Sequence, residues 1–227
     1  AAGVQIGEEA ADGGYTEYVL NKIGNVVRVI DAMGYASDFE YDGMYNITKG
    51  TDPDGNTITY TYDGNGNTLT ETDANGNTVS YEYDSMNQLV KTVQADGSVT
   101  KYTYDIDGNL IKTVNPDKSD KTVDYNTILG LPIKSTDELG NETTYEYTLA
   151  GQPEKITYAD ETCLEYQYDT KGRLIKFTDE TGLVSEFTYD ANGNVLKLVE
   201  NGTREYTYTY DANNNLIRTI DPMGGIV

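Results

Sequence analysis

Histidine and tryptophan are absent from this chain, cysteine occurs once and proline five times. Each shortage closes a class of chemistry. Without histidine there is no Ser-His-Asp or Cys-His nucleophile and no histidine-ligated metal. Cys163, being alone, can form no intrachain disulfide, and it reads as a small apolar side chain in the strand before Tyr166. No run of about 18 apolar residues exists, so no stretch has the make-up of a membrane-spanning helix. Residues 1–9 have neither the basic start nor the apolar centre of a signal peptide. Basic residues are scarce: 16 Lys and Arg stand against 38 Asp and Glu, a net charge of −22. Nucleic acid and anionic membranes are repelled by such a chain. Most of its aspartates fall in predicted turns, so solvation accounts for the acidity.

What is abundant is tyrosine, 21 residues against three phenylalanines. It recurs on a fixed period. Tyr60-Thr61-Tyr62-Asp63-Gly64-Asn65-Gly66-Asn67 returns as Tyr81-Glu82-Tyr83-Asp84, Tyr102-Thr103-Tyr104-Asp105, Tyr166-Gln167-Tyr168-Asp169, Phe187-Thr188-Tyr189-Asp190 and Tyr208-Thr209-Tyr210-Asp211. Tyr41, Tyr62, Tyr83, Tyr104 and Tyr125 stand 21 residues apart, and Tyr147, Tyr168, Tyr189 and Tyr210 continue at 21 after one step of 22. Counting back from Tyr41 reaches Leu20 in a worn copy, which makes ten copies in 227 residues. A fixed period of this length fixes an architecture of stacked units.

Within a period, Ile58-x-Tyr60-x-Tyr62 alternates with Thr57, Thr59 and Thr61, and period two over five residues predicts a strand. Asp63-Gly64-Asn65-Gly66-Asn67 predicts a turn: aspartate accepts from backbone N–H groups ahead of it, and glycine in fourth place supplies a positive φ. A second strand follows, as in Leu110-Ile111-Lys112-Thr113-Val114, then another turn such as Asp52-Pro53-Asp54-Gly55 or Asp73-Ala74-Asn75-Gly76. The prediction is all-β: antiparallel hairpins forming one long, twisted, spiralling sheet over residues 15–227. A poorly ordered lead-in is predicted over residues 1–14. The last copy stops partway at Val227, so a piece cut at both ends from a longer array is expected. One period offers two rings and about three aliphatic side chains for burial, too little to offset the ordering of 21 residues. Copies must therefore share ladder bonds with their neighbours.

Three features need weighing. Arg28, Lys49, Lys91, Lys112, Lys134, Lys155, Lys176, Lys197 and Arg218 form a basic column, with Thr70 the exception. With Glu40, Glu82 and Glu146 available, cross-strand pairing or stems lying over tyrosine rings are favoured over a polyanion site. Parity across five-residue turns leaves the column's face open. One extra residue between Val123 and Pro132, together with Thr148 and Pro153, predicts a local kink near 126–153. Asp73-Ala74-Asn75-Gly76-Asn77 mimics the start of a calcium loop. Thr78 and Asp84 then stand where glycine and glutamate are needed, so turn formation is the simpler reading. Asn46, Asn141 and Asn201 begin glycosylation sequons, which matter only in a eukaryotic secretory route.

Tyr-x-Tyr-Asp-x-x-Gly-Asn-Leu, as it stands at residues 102–110, resembles the tyrosine–aspartate (YD) repeat of Rhs proteins, a family that includes wall-associated toxins, shell subunits of insecticidal toxin complexes and teneurins. The resemblance covers about residues 15–227. It implies a β-shell enclosing or presenting a C-terminal toxin domain, with the rest of the same polypeptide as partner, in a secreted or cell-surface protein. Asp221-Pro222-Met223-Gly224 is similar to part of the family's self-cleaving core, but Asp52-Pro53-Asp54-Gly55 shows that ordinary copies contain it too.

The leading expectation is thus a non-catalytic structural module, with no catalytic, cofactor-binding or metal residues and no cofactor. An active site would break the repeat at one place, whereas these carboxylates follow it. The alternative is an adhesin-like module that binds carbohydrate or a partner protein through its tyrosine face. Self-association through unpaired strand edges is a third expectation.

Overall fold

A computed structural model describes residues 4–9 and 14–226. Among them are 21 strands and no helix. Strands ending in the second tyrosine, such as Thr57–Tyr62, Thr78–Tyr83 and Val184–Tyr189, run six residues. They alternate with strands that carry the basic column, such as Ile47–Thr51 and Leu89–Val93, which run five. The chain divides into two compact units: residues up to 108 with 113–118, and residues 109–112 with those from 119 onward. In the first unit, strands from Val4–Glu9 to Val99–Tyr104 pair antiparallel with their neighbours in sequence. In the second, the same holds from Asp120–Tyr125 to Leu216–Ile220. The all-β hairpin array expected from the period is what the chain forms.

The lead-in expected over residues 1–14 needs correction. Val4–Glu9 is a strand, in register with Tyr15–Leu20 over six pairs. The physical reason is the clock itself. Counting 21 back from Arg28 reaches Gly7, so this segment is the basic strand of a preceding copy, with glycine in the basic place. The strand Tyr15–Leu20 has edge hydrogen-bonding groups to satisfy, and these residues satisfy them. Residues 1–3 and 10–13 lie outside the described residues.

Most turns of both kinds share one geometry. The first-place residue donates its N–H to the carbonyl of the fifth, as Asp63 does to Asn67 and Asp52 to Asn56, and the fourth donates back to the first. Asp63 Oδ1 accepts from the N–H groups of Asn65 and Asn67, and its Oδ2 accepts from the Asn67 amide. Gly66 sits at φ 89° and Gly55 at φ 85°, where a Cβ would be strained. The hydrogen bond from the Asn67 amide, with those from the backbone, holds the Asp63 carboxyl below the usual aspartate range. Asp42, Asp52, Asp73, Asp137, Asp190 and Asp211 are lowered in the same way, each first by the amide of the asparagine four residues on.

Each tyrosine ends its strand on a bulge. Thr61 lies opposite Thr70 but Tyr62 lies opposite Thr68, so Leu69 is the extra residue. The same shift occurs at Tyr41, Tyr83, Tyr147, Tyr168, Tyr189 and Tyr210. The insertion expected to disturb residues 126–153 is absorbed inside its turn. Asn126 donates to Leu131 and Gly130 to Asn126 across one additional residue. Tyr125 then meets Pro132 at the usual bulge, and Tyr147 meets Pro153 there too. A bulge at a strand's first residue is where proline is tolerated, and the ladder continues through both.

Among the described residues no apolar side chain is buried, and Thr92, at 7% exposure, is the most enclosed of all. In each unit the chemistry is therefore that of a single sheet layer, half-covered by its own side chains.

Candidate functional site

The residues that do specific work are those that tie one copy to the next. The bulge opposite each tyrosine releases a carbonyl at the start of the basic strand. The second tyrosine of the following copy donates its hydroxyl to that carbonyl: Tyr41 to Val26 at 2.7 Å, Tyr62 to Ile47 at 2.7 Å, Tyr104 to Leu89 at 2.9 Å, Tyr189 to Leu174 at 2.6 Å and Tyr210 to Val195 at 3.1 Å. The spacing is 15 residues each time. One residue thus supplies both a ring to bury and the donor that a distorted ladder lacks. Desolvation pushes the hydroxyls of Tyr62, Tyr83, Tyr104 and Tyr168 upward in pKa.

A second tie runs along the turn edge. Asn87 Oδ1 accepts from the side-chain amides of Asn65 and Asn67, one copy back, and Asn214 does the same for Asn192 and Asn194. Where the fifth turn residue is glutamine or arginine it reaches the next turn's backbone: Gln152 to the carbonyl of Gly172 at 2.8 Å, Arg173 to that of Asp190 at 2.9 Å. Arg173 also lies over the Tyr189 ring, 4.7 Å from its centroid.

The two faces differ in chemistry. Register places Lys91 opposite Glu82 on one side and Lys101 on the other, so the basic column lies on the face away from the tyrosines. Seven of its members form cross-strand ion pairs: Arg28 with Asp38, Lys49 with Glu40, Lys91 with Glu82, Lys112 with Asp120, Lys134 with Glu142, Lys155 with Glu165 and Lys197 with Glu205. Cross-strand pairing is what these seven do. On the tyrosine face, one column lies beneath the rings, next to the basic column in sequence. Thr92, opposite Tyr81, and Phe177, opposite Tyr166, belong to it. The Tyr166 and Phe177 rings stand 5.1 Å apart. In the second copy the same place is Gly50, opposite Phe39 on one side and Ile58 on the other. A hollow of 730 Å³ opens there, between Phe39, Ile58 and Tyr60, with Asp52 and Asp73 at its rim.

The residues weighed from sequence fall as follows. Both Asp73 oxygens are taken by N–H donors of Asn75 and Asn77, and among the described residues no three His, Cys, Asp or Glu side chains gather as a metal site. Cys163 is half-buried, its Sγ 3.9 Å from Glu165 Oε1. The side-chain nitrogens of Asn46 and Asn141, where a glycan would attach, each donate to a turn aspartate, Asp42 and Asp137. Neither the tyrosine-to-carbonyl bonds nor the gap at Gly50 was read from sequence. A glycine in mid-strand was the available signal for the gap.

The teneurin YD-shell family model matches residues 15–185. The chain belongs to that family. The RHS repeat model also matches this YD-shell chain, at residues 168–204 and 190–226. Among solved structures, the crystal structure of TcdB2-TccC3-TEV has a TM-score of 0.60 at 16% identity, covering 95% of this chain and 15% of that one. The crystal structure of TcdB2-TccC3 has a TM-score of 0.44 at 16% identity, covering 91% and 17%. A structure of the Photorhabdus luminescens Tc holotoxin pore has a TM-score of 0.39 at 15% identity, covering 91% and 16%. This YD-shell chain thus spans about a sixth of those structures' length. No curated protein matches it. The first likeness shows the fold alone.

Proposed function

We propose that this chain is a segment of a β-shell that encloses or presents a polypeptide domain of the protein it belongs to, secreted or held at a cell surface. The observation that carries the reading is the single sheet layer. No described apolar side chain is buried, yet within each unit copies are tied to their neighbours through ring hydroxyls and turn amides, as at Tyr62, Asn65 and Tyr210. Such a module gains stability by extension, and each unit presents a tyrosine face. Its partners are further repeats and the enclosed domain of the same polypeptide, and its role is mechanical, without catalysis. The absence of histidine and the engagement of the turn carboxylates in their own backbone support that role.

Scattering or electron microscopy on the longest polypeptide containing this array tests the proposal. A hollow particle with density inside is expected, and a solid rod would contradict it.

A further inference from the structure

In the first unit the tyrosine face is interrupted at Gly50. In ten copies the place beneath the rings is held by Val29, Gly50, Glu71, Thr92, Thr113, Ser135, Ile156, Phe177, Leu198 and Thr219. Its occupant in the fourth copy, Thr92, is the only described residue that is buried, at 7% exposure. Where glycine stands, the ring of Phe39 and the side chain of Ile58 flank an empty place, and Ile58 is left 40% exposed. The backbone does not require glycine there, because Gly50 is not among the residues of positive φ. A Cβ built at Gly50 would meet only the Phe39 ring edge, at 3.9 Å.

The chain itself shows what fits such a place. At Phe177 a phenyl ring fills it, 5.1 Å from the Tyr166 ring. The surroundings of the gap are acidic. Asp52 and Asp73 stand on its rim. Glu71, the next occupant of the same column, lies opposite Tyr60 on this face and takes part in none of the ion pairs found among the described residues. The lysines that neutralise the other face point away from it.

We infer that the gap at Gly50 is a binding site for an aromatic side chain presented by a segment of another polypeptide, with lysine or arginine flanking the ring. The ring takes the place that Phe177 fills in its own copy, and the flanking cations are drawn by the negative charge of Asp52, Asp73 and Glu71. The inference stands apart from the shell proposal, since it rests on one hollow within the first unit and holds whether or not the array closes around a cargo.

The chain has no tryptophan, so the fluorescence of a tryptophan peptide reports binding without background. Acetyl-Lys-Trp-Lys-amide titrated with the full chain should give a saturable blue shift at one site per chain. Acetyl-Glu-Trp-Glu-amide should bind at least tenfold more weakly. Gly50→Phe should weaken binding of the lysine peptide at least tenfold while its thermal midpoint stays level or rises. Gly50→Val, which places in the gap the residue found at Val29, should do the same and guards against a misfolded phenylalanine variant. No saturable shift with the unaltered chain would overturn the inference. So would equal affinity for the two peptides, or undiminished binding in a folded Gly50→Phe or Gly50→Val chain.

Discussion

At the scale of single residues, turn and ladder place opposite demands on the chain. Fourth place in each turn requires a positive φ, and glycine meets it in most copies. Tyr45 at φ 70° and Glu161 at φ 68° meet it under strain. Replacing either with glycine should stabilise the chain by about 1 kcal/mol, read as a rise in the denaturant midpoint. A midpoint that falls would mean that the tyrosine or glutamate side chain holds the turn by contacts that outweigh the backbone. The tyrosine hydroxyl is the counterpart on the ladder. Tyr104→Phe keeps the ring and leaves the Leu89 carbonyl without its donor, at a cost of about 1 kcal/mol. An unchanged midpoint would show that water replaces the hydroxyl without loss. Much of this scale was legible: aspartate first and glycine fourth announce the turn. The hydroxyl's destination was not, because it depends on a bulge that no composition rule reveals.

Between strands, register decides which charges meet. The basic column's face could not be read from sequence. Each period crosses two five-residue turns and a bulge that adds one residue to one strand only, so counting alternation fails. Glu82 opposite Lys91 settles it. The same register exposes one conflict: Lys101 lies opposite Lys91 across Leu89–Val93 and Val99–Tyr104, where Lys155 instead finds Glu165. Lys101→Glu should therefore stabilise the array by about 0.5 kcal/mol at low salt, with the gain fading as salt is added. A loss of stability at low salt would show that Lys101 is held by interactions stronger than its repulsion from Lys91. Gly7 in the basic place explains both the missed strand Val4–Glu9 and a consequence nearby. Glu17, directly opposite, meets no cation among the described residues, and its Oε1 is enclosed without a hydrogen-bond partner among them.

For the chain as a whole, the titrations bound its working range. Turn aspartates are held below their unfolded value by amide and backbone donors. Their contribution is present above about pH 4 and is lost as pH falls through the lowered values. Tyrosines raised by desolvation contribute fully below about pH 10 and lose that contribution as pH rises through their raised values. Thermal midpoints should thus be level near neutrality and fall on both sides. A midpoint that rises on acidification below pH 4 would contradict the aspartate assignment. The repeat itself, and with it the family and the all-β class, was legible from the tyrosine clock because each copy obeys the same local rules. What the clock does not display is that, among the described residues, no apolar side chain is fully buried.

The central claim is that hairpins hold only by zipping to neighbours through the ladder, the ring hydroxyls and the turn amides. Thermal unfolding of a two-copy excerpt, residues 57–93, followed beside the full chain by circular dichroism, tests it most directly. The account predicts an excerpt largely unfolded at room temperature beside a cooperatively melting full chain. An excerpt that melts as sharply and at as high a temperature as the full chain would contradict it.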